Sequence, residues 1–211
     1  MPLSRFYLSV IPLCTLLLMA GGCIEKPQPA NNNPASLPVI KTPANRDPGL
    51  DKSPMDMIYY PVDFPISKMS SSGDKLPLAR VIYSRPRKEG RTIFGGMVKY
   101  GEPWRLGANE ATEIEFFTDV KIQRKRVNKG RYIVYAIPQP DHWQLRLNTN
   151  LYTWGLNIDS SFDAYSFQVP VDQSSKALEL FSMEFSPTTD STKLVIGWDT
   201  LRVSLPITFN Q

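Results

Sequence analysis

The sequence predicts an all-β protein, an antiparallel β-sandwich (jelly-roll-like) of about eight to ten short strands. Apolar residues recur at every second position in many short runs. Turn residues separate these runs at intervals of roughly 8–12 residues, the spacing of sandwiches and barrels. No window carries an apolar stripe of useful length at helical spacing. Of 211 residues, 42% are hydrophobic, with 10 Phe, 9 Tyr and 4 Trp, enough for one core.

Residues 57–60 and 78–83 supply the first two strands. Residues 112–122 alternate most cleanly, with Ile114, Phe116, Val120 and Ile122 on one face and Glu113, Glu115, Asp119 and Lys121 on the other. That is the pattern of a half-buried antiparallel strand. Residues 131–137 (RYIVYAI) and 143–147 (WQLRL) repeat it, separated by the turn Pro138-Gln139-Pro140-Asp141. Residues 165–171, 180–185, 194–198 and 201–207 add four more short runs. The basic stretch from Lys121 to Arg131 reads as a solvated hairpin tip, or as a contact for anionic glycan or lipid phosphate.

Upstream of these strands the composition changes twice. Residues 1–22 form a signal peptide: Arg5, the apolar run Phe6 to Ala20, then Gly21-Gly22. The apolar run is shorter than the ~20 residues a membrane span needs. Cys23 follows at once, and Leu18-Met19-Ala20-Gly21-Gly22-Cys23 resembles the lipobox of bacterial lipoproteins, with Ala20 where leucine usually stands. The resemblance implies that Cys23 receives lipid, palmitate included, and becomes the mature first residue. The other cysteine, Cys14, lies inside the leader, so the mature chain would hold no free thiol and no disulfide. Residues 23–54 are a lipid-anchored tether rich in Pro and Asn, too polar to offset its conformational entropy by burial. At ~3.1 Å per residue such a spacer would hold the folded domain, residues 55–211, nanometres from the membrane. The expected location is the bacterial cell envelope, at a periplasmic or cell-surface face. The partner there is the membrane, through the lipid on Cys23.

Net charge is +4, too mild for nucleic acid. One histidine excludes a histidine-rich metal site, and no metal or other cofactor is expected. No nucleophile elbow, phosphate-cradling loop or dinucleotide motif occurs. His142 beside Asp141 reads as a turn residue.

Residues 83–112, YSRPRKEGRTIFGGMVKYGEPWRLGANEAT, concentrate glycines, charge and aromatics. Ser84-Arg85-Pro86, Gly90-Arg91, Ile93-Phe94-Gly95, Tyr100-Gly101, Trp104-Arg105 and the run from Gly107 to Thr112 resemble the signature of the domain of unknown function 2911 family. Weaker matches continue through Asp119-Val120, Gly130, Tyr132, Trp143, Asn148, Trp154-Gly155 and Trp198. The resemblance implies an exported β-rich domain and no particular chemistry. Lys99 stands where the family usually has proline, and Leu106 where it has threonine.

Two readings of the stretch follow from its residues. In the first, Arg105 and Glu110 pair across Gly107 as a buried latch, with Trp104 as its plug. In the second, Arg85, Arg91 and Arg105 converge on an anionic group while Trp104 or Trp154 stacks on a sugar ring, with Asn109 and Glu110 beside them. Function then divides three ways: a non-enzymatic module binding an anionic or carbohydrate ligand or an envelope partner, a glycan-directed hydrolase, or a structural accessory subunit. The hydrolase would use Glu110 as acid/base, tuned by Arg105; Asp159 and Asp163 are the other acids for such a pair.

Overall fold

A computed structural model describes residues 52–69, 76–189 and 191–209. The leader, Cys23 and the tether up to Asp51 lie outside the described residues. The domain is all-β and sandwich-like: nine antiparallel strands form one unclosed sheet in the order β1-β2-β3-β6-β7-β8-β9-β4-β5. The strands are β1 (Met55–Tyr60), β2 (Ala79–Ser84), β3 (Glu113–Phe116), β4 (Val120–Ile122), β5 (Lys125–Val127), β6 (Gly130–Pro138), β7 (His142–Asn148), β8 (Asp163–Pro187) and β9 (Thr192–Phe209). The winding is mainly a meander, simpler than a jelly roll, with the β4–β5 hairpin crossing to pair with β9. One helical turn, α1 (Phe64–Ser67), follows β1. No helix of the described residues is long and apolar enough to cross a membrane.

Two strands correct the expectation of uniformly short ones. β8 has 25 residues and β9 has 18, each joining two runs that the sequence separates. The polar segment between Gln173 and Leu178 breaks the alternation but leaves the backbone extended, and the register shifts there. Asp199, at φ 51, interrupts β9 in the same way. The first part of β8 pairs with β7 and the second with β9. β8 therefore carries the chain from one half of the sheet into the other, and the two halves enclose one core.

That core is the predicted one. Ile114, Phe116, Val120 and Ile122 are all buried in it, although Phe117–Asp119 divides their run into β3 and β4. Tyr132, Val134 and Ala136 of β6 and Trp143, Leu145 and Leu147 of β7 point into the same cluster as Phe185, Ile196 and Ile207. Across the interior, Tyr60 of β1 stacks on Phe209 of β9 with ring centroids 4.8 Å apart. The basic stretch forms the β4–β5 hairpin, turning at Gln123 (φ 54).

Candidate functional site

Between β2 and β3 the chain makes the long excursion that the sequence singles out. Its first residues run beside β8: Arg87 bridges Leu180, Phe181 donates its N–H to Pro86 O (2.9 Å) and Lys88 to Glu179 O (2.7 Å). Lys88 also pairs with Asp199 at 2.7 Å. Arg85 lies on this seam. Its guanidinium donates to Phe181 O (3.3 Å), Ser182 Oγ (3.0 Å) and Asp56 Oδ2 (3.2 Å), tying β1, the end of β2 and β8 together.

The chain then turns over Glu89 and Gly90, both at positive φ. Arg91 fastens the turn, donating Nε–H to Lys88 O (2.9 Å), a second bond to Arg87 O and a third to Met97 Sδ (3.1 Å). Ile93 and Val98 are buried. Trp104 N–H and C=O bond Ala136 (2.7 and 2.9 Å), so the excursion returns along β6. The Trp104 ring packs against Phe94, Trp143, Phe181 and Trp198 at centroid distances of 5.3 to 6.1 Å. This is the expected plug. Leu106 (φ 56) is fully buried, and Thr112 Oγ1 donates to Leu106 O at 2.7 Å. Gly107 has φ 152, and a Cβ there would stand 3.0 Å from Ser84 O. The sharp reversal expected at this glycine is present.

Arg105 behaves unlike the other arginines of the excursion. It donates no hydrogen bond to the described residues, and its Nε is buried without a partner. Burial lowers its pKa, and the charge of Glu110 opposes that shift without a direct ion pair. Its aliphatic stem lies against the backbone of Gly155: a Cβ on Gly155 would be 2.3 Å from Arg105 Cδ. Arg80 and Arg146 also bury an unpaired Nε, yet each binds a carboxylate through its other nitrogens, Glu115 and Asp163 respectively. Arg105 has no such relief.

Arg105 opens onto a cleft of about 520 Å³, within the ~300–1,000 Å³ usual for small-molecule sites. Arg91, Lys99 and Arg105 are its cations and Glu102 its single acid. Trp104, Pro86, Val98, Leu156 and Ile158 make much of the apolar wall. The lining thus combines a few charged side chains with a largely apolar wall, the usual composition of a small-molecule pocket.

The structure thus brings together three of the predicted residues, Arg91, Trp104 and Arg105, and separates the others. Arg85 is spent on the seam to β8. Asn109, at φ 60, and Glu110 do not line the cleft. Glu110 is exposed, and its backbone bridges Trp154. The predicted Arg105–Glu110 latch is therefore corrected: the fastening belongs to Arg85, because the excursion runs beside β8 and offers Arg85 the carbonyl of Phe181. The Trp154 ring is 51% exposed and stands outside the cleft, which its neighbours Gly155 and Leu156 line.

The remaining acids are committed elsewhere. Asp163 accepts from Tyr135 Oη (2.7 Å), Arg146 (2.8 Å) and Asn148 Nδ2 (2.8 Å). Burial, then the bond to Asp163, pushes the Tyr135 phenol up to about 12. Asp159 caps a short 3-10 turn through Ser161 N–H (2.9 Å). His142 pairs with the exposed Asp141 at 2.8 Å, which lowers the Asp141 pKa. Among the described residues no group of three His, Cys, Asp or Glu is placed to hold a metal. Sequence reasoning missed Glu102, and it noted Leu156 and Ile158 only because the segment Leu156-Asn157-Ile158-Asp159 lacks a tyrosine and an arginine usual in the resembled family. It noted Lys99 only as a departure from a family pattern.

A family model described as "Protein of unknown function (DUF2911)" matches residues 66–207, more than half of the chain. The chain belongs to this domain of unknown function 2911 family. The match spans β2 through most of β9 and so includes the whole excursion, although the family assigns it no activity. No curated protein and no solved structure matches this family member.

Proposed function

We propose that this protein is a non-enzymatic binding module of the bacterial cell envelope, anchored by lipid on Cys23, whose cleft takes a small anionic ligand such as an acidic sugar. One observation carries the reading: Arg105 lines the cleft with a buried, unpartnered Nε and no hydrogen bond to the described residues. A guanidinium with idle donors is costly to bury and binds a carboxylate or phosphate through two parallel hydrogen bonds. Arg91 and Lys99 add positive charge at the rim, and Trp104 with Leu156 and Ile158 offers apolar contact to a ring.

The hydrolase reading has less support. Glu110 faces solvent outside the cleft, and Asp159 and Asp163 serve a turn cap and a buried network. The lipid anchor rests on the sequence around Cys23. Replacing Cys23 with Ala should release the protein from membranes into the soluble fraction, and continued membrane association would contradict it.

Calorimetric titration tests the cleft, with galacturonate and inorganic phosphate as probes and galactose as the neutral control. An anion should bind while galactose does not, and Arg105→Gln should weaken binding about 10- to 100-fold, equivalent to the ~1.5–3 kcal/mol of a hydrogen bond to a charged group. Equal binding by the Gln variant would refute the reading.

A further inference from the structure

The cleft has a second feature at its edge. Between β7 and β8 the chain turns at Trp154-Gly155-Leu156-Asn157, where Asn157 N–H donates to Trp154 O at 2.8 Å. Gly155 lies against the Arg105 stem and the backbone of Asn109 and Glu110, too close to admit a Cβ. Gly155 and Leu156 line the cleft, and Leu156 is 73% exposed, so this turn reaches the cleft mouth. Trp154 is the next residue along, its Cα about 3.8 Å from that of Gly155.

Trp154 differs from the other three tryptophans. Trp143 and Trp198 are fully buried, and Trp104 is packed among aromatic rings. Trp154 leaves about half of its surface in solvent. Exposed aromatic surface costs free energy that a bound ring recovers. Glu110 stands beside it, since the two residues form an antiparallel bridge. Residues opposite one another in such a bridge carry their side chains to one side, with Cβ atoms about 4.5–5.5 Å apart. The Glu110 carboxylate is exposed, so it flanks the indole in solvent, and its charge is felt at Arg105. An idle guanidinium in the cleft and an aromatic face with a carboxylate at its side are therefore neighbours.

We propose that the ligand is an acidic oligosaccharide, with the carboxylate of one sugar on Arg105 and the next ring, a neutral one, stacked on Trp154. This rests on the cleft being an anion site and adds the class of ligand. The C–H face of a sugar ring covers the indole, and a small anion alone would leave it bare. Neutrality of the second ring follows from Glu110. A second carboxylate would meet it across roughly 5 Å with like-charge repulsion, whereas the hydroxyls of a neutral sugar donate to it.

Calorimetric titration with three probes tests the assignment. Galacturonosyl-rhamnose, an acidic sugar linked to a neutral one, should bind about tenfold more tightly than galacturonate, the gain expected from covering ~50 Å² of apolar surface. Trp154→Ala should bind galacturonate as wild type does and lose that difference. Digalacturonate, whose second ring is charged, should bind about three- to fivefold more weakly than galacturonosyl-rhamnose in dilute buffer, and Glu110→Gln should erase the deficit. Retained galacturonate affinity shows each variant to be folded. Equal wild-type affinity for galacturonate and galacturonosyl-rhamnose would overturn the proposal while leaving the anion site in place. So would an undiminished difference in Trp154→Ala, an undiminished deficit in Glu110→Gln, or digalacturonate binding as tightly as the mixed disaccharide to wild type. Failure of galacturonate itself to bind would instead refute the anion site, and the proposal with it.

Discussion

Replacing Gly155 with Ala perturbs the cleft through its wall without touching a charged group. A Cβ at this position would stand 2.3 Å from Arg105 Cδ, 2.9 Å from Asn109 O and 3.1 Å from the carbonyl carbon of Glu110. The first clash is relieved by swinging the arginine stem away. The other two are with backbone on the far side of the Glu110–Trp154 bridge, so the segment must also move. Overpacking of this kind costs about 1–3 kcal/mol. For a domain of this size that lowers the Tm by about 2–4 °C for each kcal/mol. The expected outcome is a melting temperature several degrees lower, together with weaker binding of galacturonate because Arg105 no longer keeps its place. Thermal unfolding followed by circular dichroism, paired with calorimetry, measures both. A Tm within a degree of wild type with unchanged affinity would show that Arg105 does not depend on close backbone approach at Gly155.

Arg85→Ala and Glu110→Ala should separate the seam from the cleft rim. The first removes three hydrogen bonds across β1 and β8; because the pair with Asp56 is about one-third exposed, the loss should be about 1–2 kcal/mol, with anion binding retained. The second removes an exposed carboxylate without a direct partner and should cost under about 0.5 kcal/mol by denaturant unfolding. Equal losses would restore the latch at Glu110. Alkaline pH offers a further test, since burial pushes the phenols of Tyr83, Tyr132 and Tyr135 each up to about 12. In the unfolded chain they ionise near their usual value of about 10. The folded state then holds protons that the unfolded state has lost. Its stability is intact below about pH 10 and falls as pH rises towards 12. Ultraviolet titration should show a late-titrating class of tyrosines, and Tyr135→Phe should remove one member of it.

Strand periodicity carried the fold far. Alternation at Ile114, Phe116, Val120 and Ile122 identified the buried face because antiparallel pairing with one solvated side imposes period two. The join of two runs into β8 was hidden because residues 172–176 are polar and largely exposed, and pairing with β9 lapses after Gln173 and resumes only at Leu178. The same non-locality governs the cleft. Arg85, Arg91 and Arg105 are alike in the sequence, yet their roles diverge according to what the chain passes. Arg85 meets a carbonyl of β8, Arg91 the carbonyls of its own turn, and Arg105 meets no hydrogen-bond partner among the described residues. Glycine spacing did foretell the reversal at Gly107, since that requirement is local. Leu156 and Ile158 enter the cleft from a connection more than forty residues downstream; the neighbouring Trp154-Gly155 marked the region, but no local pattern places these two side chains against Arg105.

The central claim is that Arg105 is a free anion-binding group, and its own Nε–H is the most direct reporter. In a nitrogen–proton correlation spectrum of the uniformly labelled protein, one arginine Nε–H resonance should disappear in Arg105→Lys and identify Arg105. Titration of wild type with galacturonate should move that resonance and bring it to saturation, while the Arg85 resonance stays fixed. If Arg105 does not respond, or if only Arg85 does, the cleft is not an anion site built on Arg105 and the account fails.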